Sequence, residues 1–255
     1  MAMSKGGSVR ERGIYILPSL FTTAGLFSGF YALIAAVQGR FELAAWALIL
    51  AAIFDILDGR VARLLHAESE FGAQYDSMCD MLSFGIAPAV LMYMWALAPL
   101  HKPGWMAAFL LAAGAALRLA RFNIQLDTQS KRYFNGLPTP ASAMLIATAV
   151  LFYEDAQLNP TPWLWFAISV TLAWLMVSHV PFFAGKDVDL QQRRPAVILL
   201  VMLVVIAFIM INPHTCLFVL ALAYVIHGAL LGITGRNRKE PPHDTATIDA
   251  DDTAP

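Results

Sequence analysis

The sequence predicts an all-α integral membrane protein with about eight transmembrane helices and both termini in the cytoplasm. Composition and the spacing of charges carry this prediction. Of the 255 residues, 58% are hydrophobic and 14% charged, whereas soluble domains are usually about 45–50% apolar and about 25% charged. These proportions argue against a soluble enzyme. The net charge of −1 offers no basic face of the kind that binds nucleic acid, so no nucleic-acid partner is expected.

Uncharged runs define most of the spans, because a helix needs about 20 mostly apolar residues to cross a bilayer. The run between Arg194 and Arg236 is about twice that length, and Asn212-Pro213-His214 predicts a turn in its middle. Two further apolar segments end in charged residues. The predicted spans are residues 14–37, 41–62, 72–99, 105–121, 138–153, 162–183, 196–211 and 214–234.

Positive charges predict the orientation, because cytoplasmic loops of membrane proteins are enriched in Lys and Arg. With eight spans, only Arg40 and Lys102 of the 17 basic residues would lie on the outer side. We therefore expect residues 1–13 to form a cytoplasmic segment and residues 14–234 to form one membrane-embedded domain. The polar residues 235–255 are expected to be disordered.

Four aspartates, Asp55, Asp58, Asp76 and Asp80, lie in or beside apolar helices, where ionisable groups are costly and usually functional. Their spacing places each pair on one helix face. Both pairs fall at the cytoplasmic end of one antiparallel helix pair, so the four carboxylates should face each other. Divalent cations would relieve the repulsion between them, and oxygen ligands select Mg²⁺, Mn²⁺ or Ca²⁺. Two metals about 4 Å apart would suit phosphoryl transfer.

The residues around the aspartates fit a phosphate-containing ligand. Gly59, Ala62 and Gly72 supply no bulk, so a flat group could approach the backbone, and Arg63 offers a cation to a phosphate. The alternative is a structural one, in which the aspartates pair with Arg60, Arg63, Arg118 and Arg121 at the headgroup boundary. Zinc is not expected, because no His or Cys has ligand spacing here.

Residues 55–80 follow the pattern D-x2-D-G-x2-A-R-x8-G-x3-D-x3-D at all eight fixed positions. This pattern resembles the signature of the CDP-alcohol phosphatidyltransferases. The resemblance implies that Asp55, Asp58 and Asp76 hold metal, and that Asp80 contributes to a second metal and acts as general base. It further implies that Gly59, Ala62, Arg63 and Gly72 contact the CDP moiety. Two Mg²⁺ or Mn²⁺ ions would be the cofactors.

Further segments are similar to the serine-using members of that family, the CDP-diacylglycerol–serine O-phosphatidyltransferases. They are residues 17–31, 76–93, 118–123 (RLARFN) and 134–141 (FNGLPTPA). The resemblance implies attack of the L-serine hydroxyl on CDP-diacylglycerol, giving phosphatidylserine and CMP, by a homodimer in the inner (cytoplasmic) membrane with its active site facing the cytoplasm. The chain departs from the pattern at Ser19 and Gly25, where the family often has asparagine.

Several readings stay open at this stage. Arg118, Arg121 and Asn123 are candidates for binding phosphate or serine, although the two arginines could equally be membrane anchors. The acceptor could instead be choline, glycerol phosphate or an inositol compound. A remote alternative is an ion-coupled transporter, although its usual internal repeat is missing. Gly25 and Gly29 form a small-xxx-small pattern that could serve a dimer or an internal helix contact.

Overall fold

The computed structural model describes residues 9–65, 69–125, 133–178, 180–183 and 212–233, together with residues 203 and 210. Its α-helices are α1 (Val9–Val37), α2 (Phe41–Leu64), α3 (Glu70–Asp80), α4 (Ala87–Met92), α5 (Lys102–Gln125), α6 (Thr139–Asp155), α7 (Pro162–Val177) and α8 (Pro213–Ile233). Two strands of three residues, β1 (Tyr133–Asn135) and β2 (Pro181–Phe183), pair antiparallel. The described chain is therefore helical apart from this short ladder, which the all-α prediction did not include.

The third predicted span is one continuous helix whose hydrogen-bond pattern changes along its length. α3 continues into a π-helical segment, Met81–Ile86, then α4, a second π-helical segment, Tyr93–Leu97, and a 3₁₀ turn, Ala98–Leu100. Together they make a composite helix, Glu70–Leu100, of 31 residues. Short π-helical stretches are frequent at functional sites, and the first of these begins directly after Asp80.

Among the described residues, four helices are long and apolar enough to cross a membrane. They are Pro18–Val37, Glu70–Leu100, Lys102–Ile124 and Pro213–Leu230. α7 is apolar but shorter, while α2 has 24 residues and carries charges in its second half. The membrane class is thus supported, and the count of eight spans stays a prediction. The predicted seventh span, 196–211, lies outside the described residues except for 203 and 210.

The predicted sixth span, 162–183, is wrong at its C-terminal end. The helix ends at Val177, because Ser178 is extended, with φ −66° and ψ 163°. Pro181 then begins β2, and a proline has no N–H with which to continue a helix. The apolar side chains past Val177 made helix and strand indistinguishable in the sequence.

Small residues bring α1 close to its neighbours. Ser83, in the first π-helical segment, donates a hydrogen bond from Oγ to the carbonyl oxygen of Gly25 at 3.3 Å. A Cβ added to Gly29 would lie 2.7 Å from the Cα of Ser83, so only glycine fits there. The Gly25–Gly29 pattern is therefore an internal contact, and it joins α1 to the helix that carries Asp80.

The bundle end away from the aspartates is closed by aromatic and polar contacts. Trp95, Tyr153 and Trp165 pack edge to face, with ring centroids 5.1–5.6 Å apart. His214 Nδ1 lies 3.2 Å from a carboxylate oxygen of Asp155, which links the start of α8 to the end of α6. Packing between four elements stabilises this end of the bundle. The aspartates lie at the opposite end.

Candidate active site

Three of the four predicted aspartates have their carboxylates close together. Asp55 on α2 and Asp76 and Asp80 on α3 each offer one carboxylate oxygen, and these oxygens lie within 4.8 Å of one another. The carboxyl groups of Asp55 and Asp80 lie close enough to share a proton. The four-residue spacing of Asp76 and Asp80 gives both one helix face, as expected. A group of carboxylates this close needs shared protons or cations between them.

Asp58 lies beside this group rather than within it. It is 6% exposed, and the Thr22 hydroxyl on α1 lies within hydrogen-bond reach of its carboxylate. A void of about 10 Å³ lies between the four aspartates and is walled by Gly25 and Ser83. That volume is about the size of a single water-sized species, so all four carboxylates border one small space.

A larger cavity of about 380 Å³, here called the headgroup cavity, opens next to the aspartates. Its lining residues come from α1, α2, α3, the turn before α3, and α5. They are Pro18, Ser19, Thr22, Asp58, Gly59, Ala62, Ser69, Gly72, Ala73, Tyr75, Asp76, Ser77, Phe122 and Asn123. Pockets for small ligands usually measure about 300–1,000 Å³, so the space suits a nucleotide-sized group.

The glycines of this cavity have different reasons to be glycine. A Cβ on Gly59 would meet no protein atom within 4 Å, whereas one on Gly72 would lie 3.0 Å from the Ser69 Oγ. Ser69 is the N-cap of α3 and accepts a hydrogen bond from the Gly72 N–H at 3.0 Å. Packing thus accounts for Gly72. The fold itself does not require Gly59, which costs helix stability relative to alanine.

Arg63 and Asn123 flank the site. The Arg63 side chain is exposed, and its Nε donates to the Gly59 carbonyl oxygen at 2.8 Å. Asn123 lines the headgroup cavity and accepts a hydrogen bond at Oδ1 from Ser77 Oγ at 3.0 Å, which ties α5 to α3. Arg63 therefore lies at the protein surface beside Gly59 rather than among the lining residues.

The two arginines of α5 have different surroundings. Arg121 donates from Nη1 to the Val177 carbonyl oxygen at 2.8 Å, which holds α5 to the end of α7. Arg118 donates from Nη1 to Thr139 Oγ1 at 3.3 Å, and its charge interacts with Asp80 and Tyr224. The buried Nε of Arg118 has no hydrogen-bond partner among the described atoms. Such a group needs an acceptor, and Arg118 is therefore better suited than Arg121 to receive an anionic ligand.

The structural alternative for the aspartates is not supported. In the part of the chain that the structure describes, no ion pair joins any of the four aspartates to Arg60, Arg63, Arg118 or Arg121, and the ion pair present is that of His214 with Asp155. Among the described residues, arginine therefore forms no direct ion pair with these carboxylates, although the charge of Arg118 interacts with that of Asp80.

Several polar residues at the site were not anticipated from the sequence. Thr22 faces Asp58, Tyr75 and Ser77 line the headgroup cavity, and Ser83 borders the aspartates. The signal was weak but present for Thr22 and Thr23, which are polar residues in the middle of an apolar helix. Lys131 and Arg132, the other basic residues near this end in the predicted topology, lie outside the described residues.

The protein family that this chain matches agrees with the signature found in residues 55–80. The chain belongs to the CDP-alcohol phosphatidyltransferase family, which it matches over residues 15–181, more than half of its length. This membership confirms the resemblance drawn from residues 55–80 and makes the transporter alternative wrong.

Individual relatives of this chain carry names that refer to serine. A CDP-diacylglycerol–serine O-phosphatidyltransferase of Helicobacter pylori is 32% identical over 220 residues, covering 85% of this chain and 91% of the relative. One of the same name from Mycobacterium leprae is 34% identical, with coverages of 88% and 77%. An archaetidylserine synthase of Methanothermobacter thermautotrophicus is 32% identical, with coverages of 65% and 69%. The names of all three relatives specify serine as the acceptor or as part of the product.

Proposed function

We propose that this protein transfers the phosphatidyl group of CDP-diacylglycerol to the hydroxyl of L-serine, forming phosphatidylserine and releasing CMP. The observation that carries the proposal is the meeting of Asp55, Asp76 and Asp80 within 4.8 Å beside the headgroup cavity. These residues are fixed positions of the family signature. The serine-specific names of relatives that align with most of the chain support the choice of acceptor.

The aspartates fit divalent cations. The donor set is oxygen only, the carboxylates are close together, and no described arginine forms an ion pair with them. We assign Asp55, Asp58 and Asp76 to one ion, with Asp80 at a second, and Mg²⁺ or Mn²⁺ as the metals. When bound, such ions would stabilise charge on the attacking and leaving oxygens.

The remaining residues bind the donor and move the proton. Gly59, Ala62 and Gly72 let the CDP moiety lie against the backbone of α2 and α3, and Arg63 contacts its phosphates from the protein surface. The serine oxygen bonds to the phosphorus next to the diacylglycerol, and its proton passes to the Asp80 carboxylate. The bond from that phosphorus to the bridging oxygen breaks, and CMP leaves.

Arg118 is the proposed ligand of the serine carboxylate. It interacts electrostatically with Asp80, the proposed base, and its buried Nε has no described acceptor. A guanidinium binds a carboxylate well because its N–H groups form a planar fork. Arg121 is hydrogen-bonded to the end of α7, and Asn123 is hydrogen-bonded to α3. We therefore assign both residues to the positioning of α5. Choline, which lacks a carboxylate, would leave Arg118 without an acceptor.

The test of the acceptor is an assay in detergent with CDP-diacylglycerol and radiolabelled serine, choline, glycerol phosphate or inositol compounds. We expect label in lipid with serine only. An Asp80→Asn sample, prepared in parallel, should still bind CDP-diacylglycerol but transfer about 10²–10⁴-fold more slowly, the usual cost of losing a general base. Preferential use of another acceptor would overturn the serine assignment while leaving the transfer chemistry intact.

The orientation and assembly are part of the proposal. We place eight spans in the inner (cytoplasmic) membrane, with both termini and the aspartates on the cytoplasmic side. Arg60, Arg63, Arg118 and Arg121 at the aspartate end support this, because positive charges favour the cytoplasm. We also propose a homodimer, as the resemblance implies. Its interface must use a surface other than Gly25 and Gly29, which pack inside the chain.

A further inference from the structure

Thr139, the first residue of α6, is a fully buried polar side chain next to the proposed serine ligand. Its exposed fraction is 0%, and its Oγ1 accepts a hydrogen bond from Arg118 Nη1 at 3.3 Å. Buried polar side chains are normally hydrogen-bonded, and this one takes its partner from the neighbouring helix α5. The contact therefore links the start of α6 to the residue proposed to bind the serine carboxylate.

The backbone on both sides of Thr139 is restricted by proline. Pro138 is the N-cap of α6, with φ −58° and ψ 135°, and Pro140 follows Thr139 within the first turn. A proline fixes its own φ and restricts the residue that precedes it. The Thr139 hydroxyl is therefore presented to α5 from a rigid backbone.

The segment before α6 is anchored to the end of α7 and the chain just after it. The Gly136 N–H donates to the Val180 carbonyl oxygen at 2.9 Å. Gly136 has φ +87°, and a Cβ there would lie 2.5 Å from the Met176 carbonyl oxygen, so glycine is required. Arg121 of α5 bonds the Val177 carbonyl oxygen in the same stretch of chain. One anchor thus holds both α5 and the start of α6.

The hydrogen bond to Thr139 determines which edge of the Arg118 guanidinium can face a ligand. The guanidinium is planar, and its N–H groups point in fixed directions. Nη1 is directed at Thr139, and Nε shares a different edge of the plane with Nη2. The Nε atom is buried and has no hydrogen-bond partner among the described atoms. A carboxylate on that edge would accept two parallel N–H bonds.

The orientation of Arg118 also affects where the serine hydroxyl lies. The charge of Arg118 interacts with that of Asp80, the proposed base, and with Tyr224 on α8. In serine, two carbon atoms separate the carboxylate carbon from the hydroxyl group, so one molecule has to reach both Arg118 and Asp80. A rotation of the guanidinium would shift the carboxylate and with it the hydroxyl.

We infer that Thr139 is a positioning residue for the acceptor, which holds Nη1 of Arg118 so that the Nε edge receives the serine carboxylate. The inference rests on the proposed function and adds a residue that acts through Arg118. Thr139 is not among the lining residues of the headgroup cavity. Loss of its hydroxyl should therefore weaken the binding of serine more than the binding of CDP-diacylglycerol.

The test measures initial rates and Tm for the purified full-length protein and its variants. Thr139→Val replaces the hydroxyl with a methyl group of similar size, and we expect the KM for serine to rise about tenfold, as for one lost hydrogen bond to a charged group. The KM for CDP-diacylglycerol and kcat should change less. Thr139→Ser restores the acceptor and should restore the KM for serine. An equal rise in both KM values, or no rescue by Thr139→Ser, would overturn the inference and leave Thr139 a purely structural role.

Thr148→Val is the matched control. Thr148 is also 0% exposed on α6, but its Oγ1 donates to the Met144 carbonyl oxygen of its own helix at 2.7 Å. We expect this variant to keep the wild-type KM for serine. A rise equal to that of Thr139→Val would show that any change in the α6 core disturbs serine binding, and would overturn the inference.

A double variant tests whether Thr139 acts through Arg118. In an Arg118→Lys background the guanidinium is gone, so Thr139→Val should add little to the KM for serine. A further rise of about tenfold would overturn the inference, because independent effects add. If the unaltered protein forms phosphatidylserine and Thr139→Val keeps the wild-type KM for serine, this inference alone fails. If the unaltered protein forms no phosphatidylserine from CDP-diacylglycerol and serine, the proposed function fails.

Discussion

Gly59 is the residue whose identity the fold explains least. It lies inside α2, where glycine costs roughly 0.5–1 kcal/mol relative to alanine, yet a Cβ there would meet no protein atom within 4 Å. It lines the headgroup cavity. We therefore propose that the missing Cβ makes room for a ligand that lies against the helix. At Gly72 the contact with the N-cap residue Ser69 already accounts for glycine.

Gly59→Ala should separate binding from folding. We expect an unchanged or slightly higher Tm, since alanine is the better helix former, together with a KM for CDP-diacylglycerol raised about tenfold or more, the equivalent of about 1.4 kcal/mol of lost binding. Thermal unfolding and steady-state kinetics measure both. Wild-type KM in this variant would show that no ligand approaches α2 at this point.

Arg118 and Arg121 stand three residues apart on α5 and provide a matched pair. Lysine keeps the charge but loses the planar fork. A charge-assisted hydrogen bond is worth roughly 1.5–3 kcal/mol, so Arg118→Lys should raise the KM for serine about 10- to 100-fold and change the KM for CDP-diacylglycerol less. Arg121→Lys should mainly lower stability, because Arg121 bonds the Val177 carbonyl. A serine effect confined to Arg121→Lys would reverse the assignment.

Among the elements, the contact of α1 with the composite helix positions Asp80, the proposed general base. Ser83 follows Asp80 by three residues and packs against Gly25 and Gly29 of α1. The π-helical segment Met81–Ile86 contains Ser83 and therefore brings the composite helix close to α1. In this way α1 fixes the position of Asp80, although it contributes no carboxylate.

Gly29→Ala should therefore disturb both stability and catalysis. Its Cβ would come within 2.7 Å of the Ser83 Cα, a backbone atom that cannot move aside cheaply. Overpacking of this kind costs about 1–3 kcal/mol, and we expect a Tm lower by several degrees and reduced transfer. Gly25→Ala is the control for Tm, because its Cβ would be 3.5 Å from Phe54 Cβ, an ordinary contact. Equal Tm values for the two variants would show that α1 can shift.

Across the whole molecule, the site was more predictable than the fold around it. The spacing of Asp55, Asp58, Asp76 and Asp80 determines a helix face, and periodicity is readable without a structure. Thr22 gave only a weak signal and Ser83 gave none, because α1 is largely apolar and its hydropathy does not say which face meets α2 or the composite helix. The π-helical segments and strand β2 were missed for a similar reason, since apolar residues suit each of these conformations.

The proposed orientation has its own test. His101, between the composite helix and α5, and Arg60, near the aspartates, are both exposed, while Cys79 and Cys216 are buried. In intact cells a membrane-impermeant thiol reagent should label His101→Cys, and should label Arg60→Cys only after the membrane is opened. The opposite pattern would place the aspartates outside the cell.

We propose that the aspartate cluster supports phosphatidyl transfer with divalent metal. The most direct measurement is phosphatidylserine formation from CDP-diacylglycerol and serine by the purified protein, first with EDTA and then with Mg²⁺ or Mn²⁺ restored, with elemental analysis of each sample. The clustered carboxylates of Asp55, Asp76 and Asp80, with Asp58 beside them, predict that activity disappears in EDTA and returns with either metal. Full activity in a sample shown to be free of metal would contradict the account.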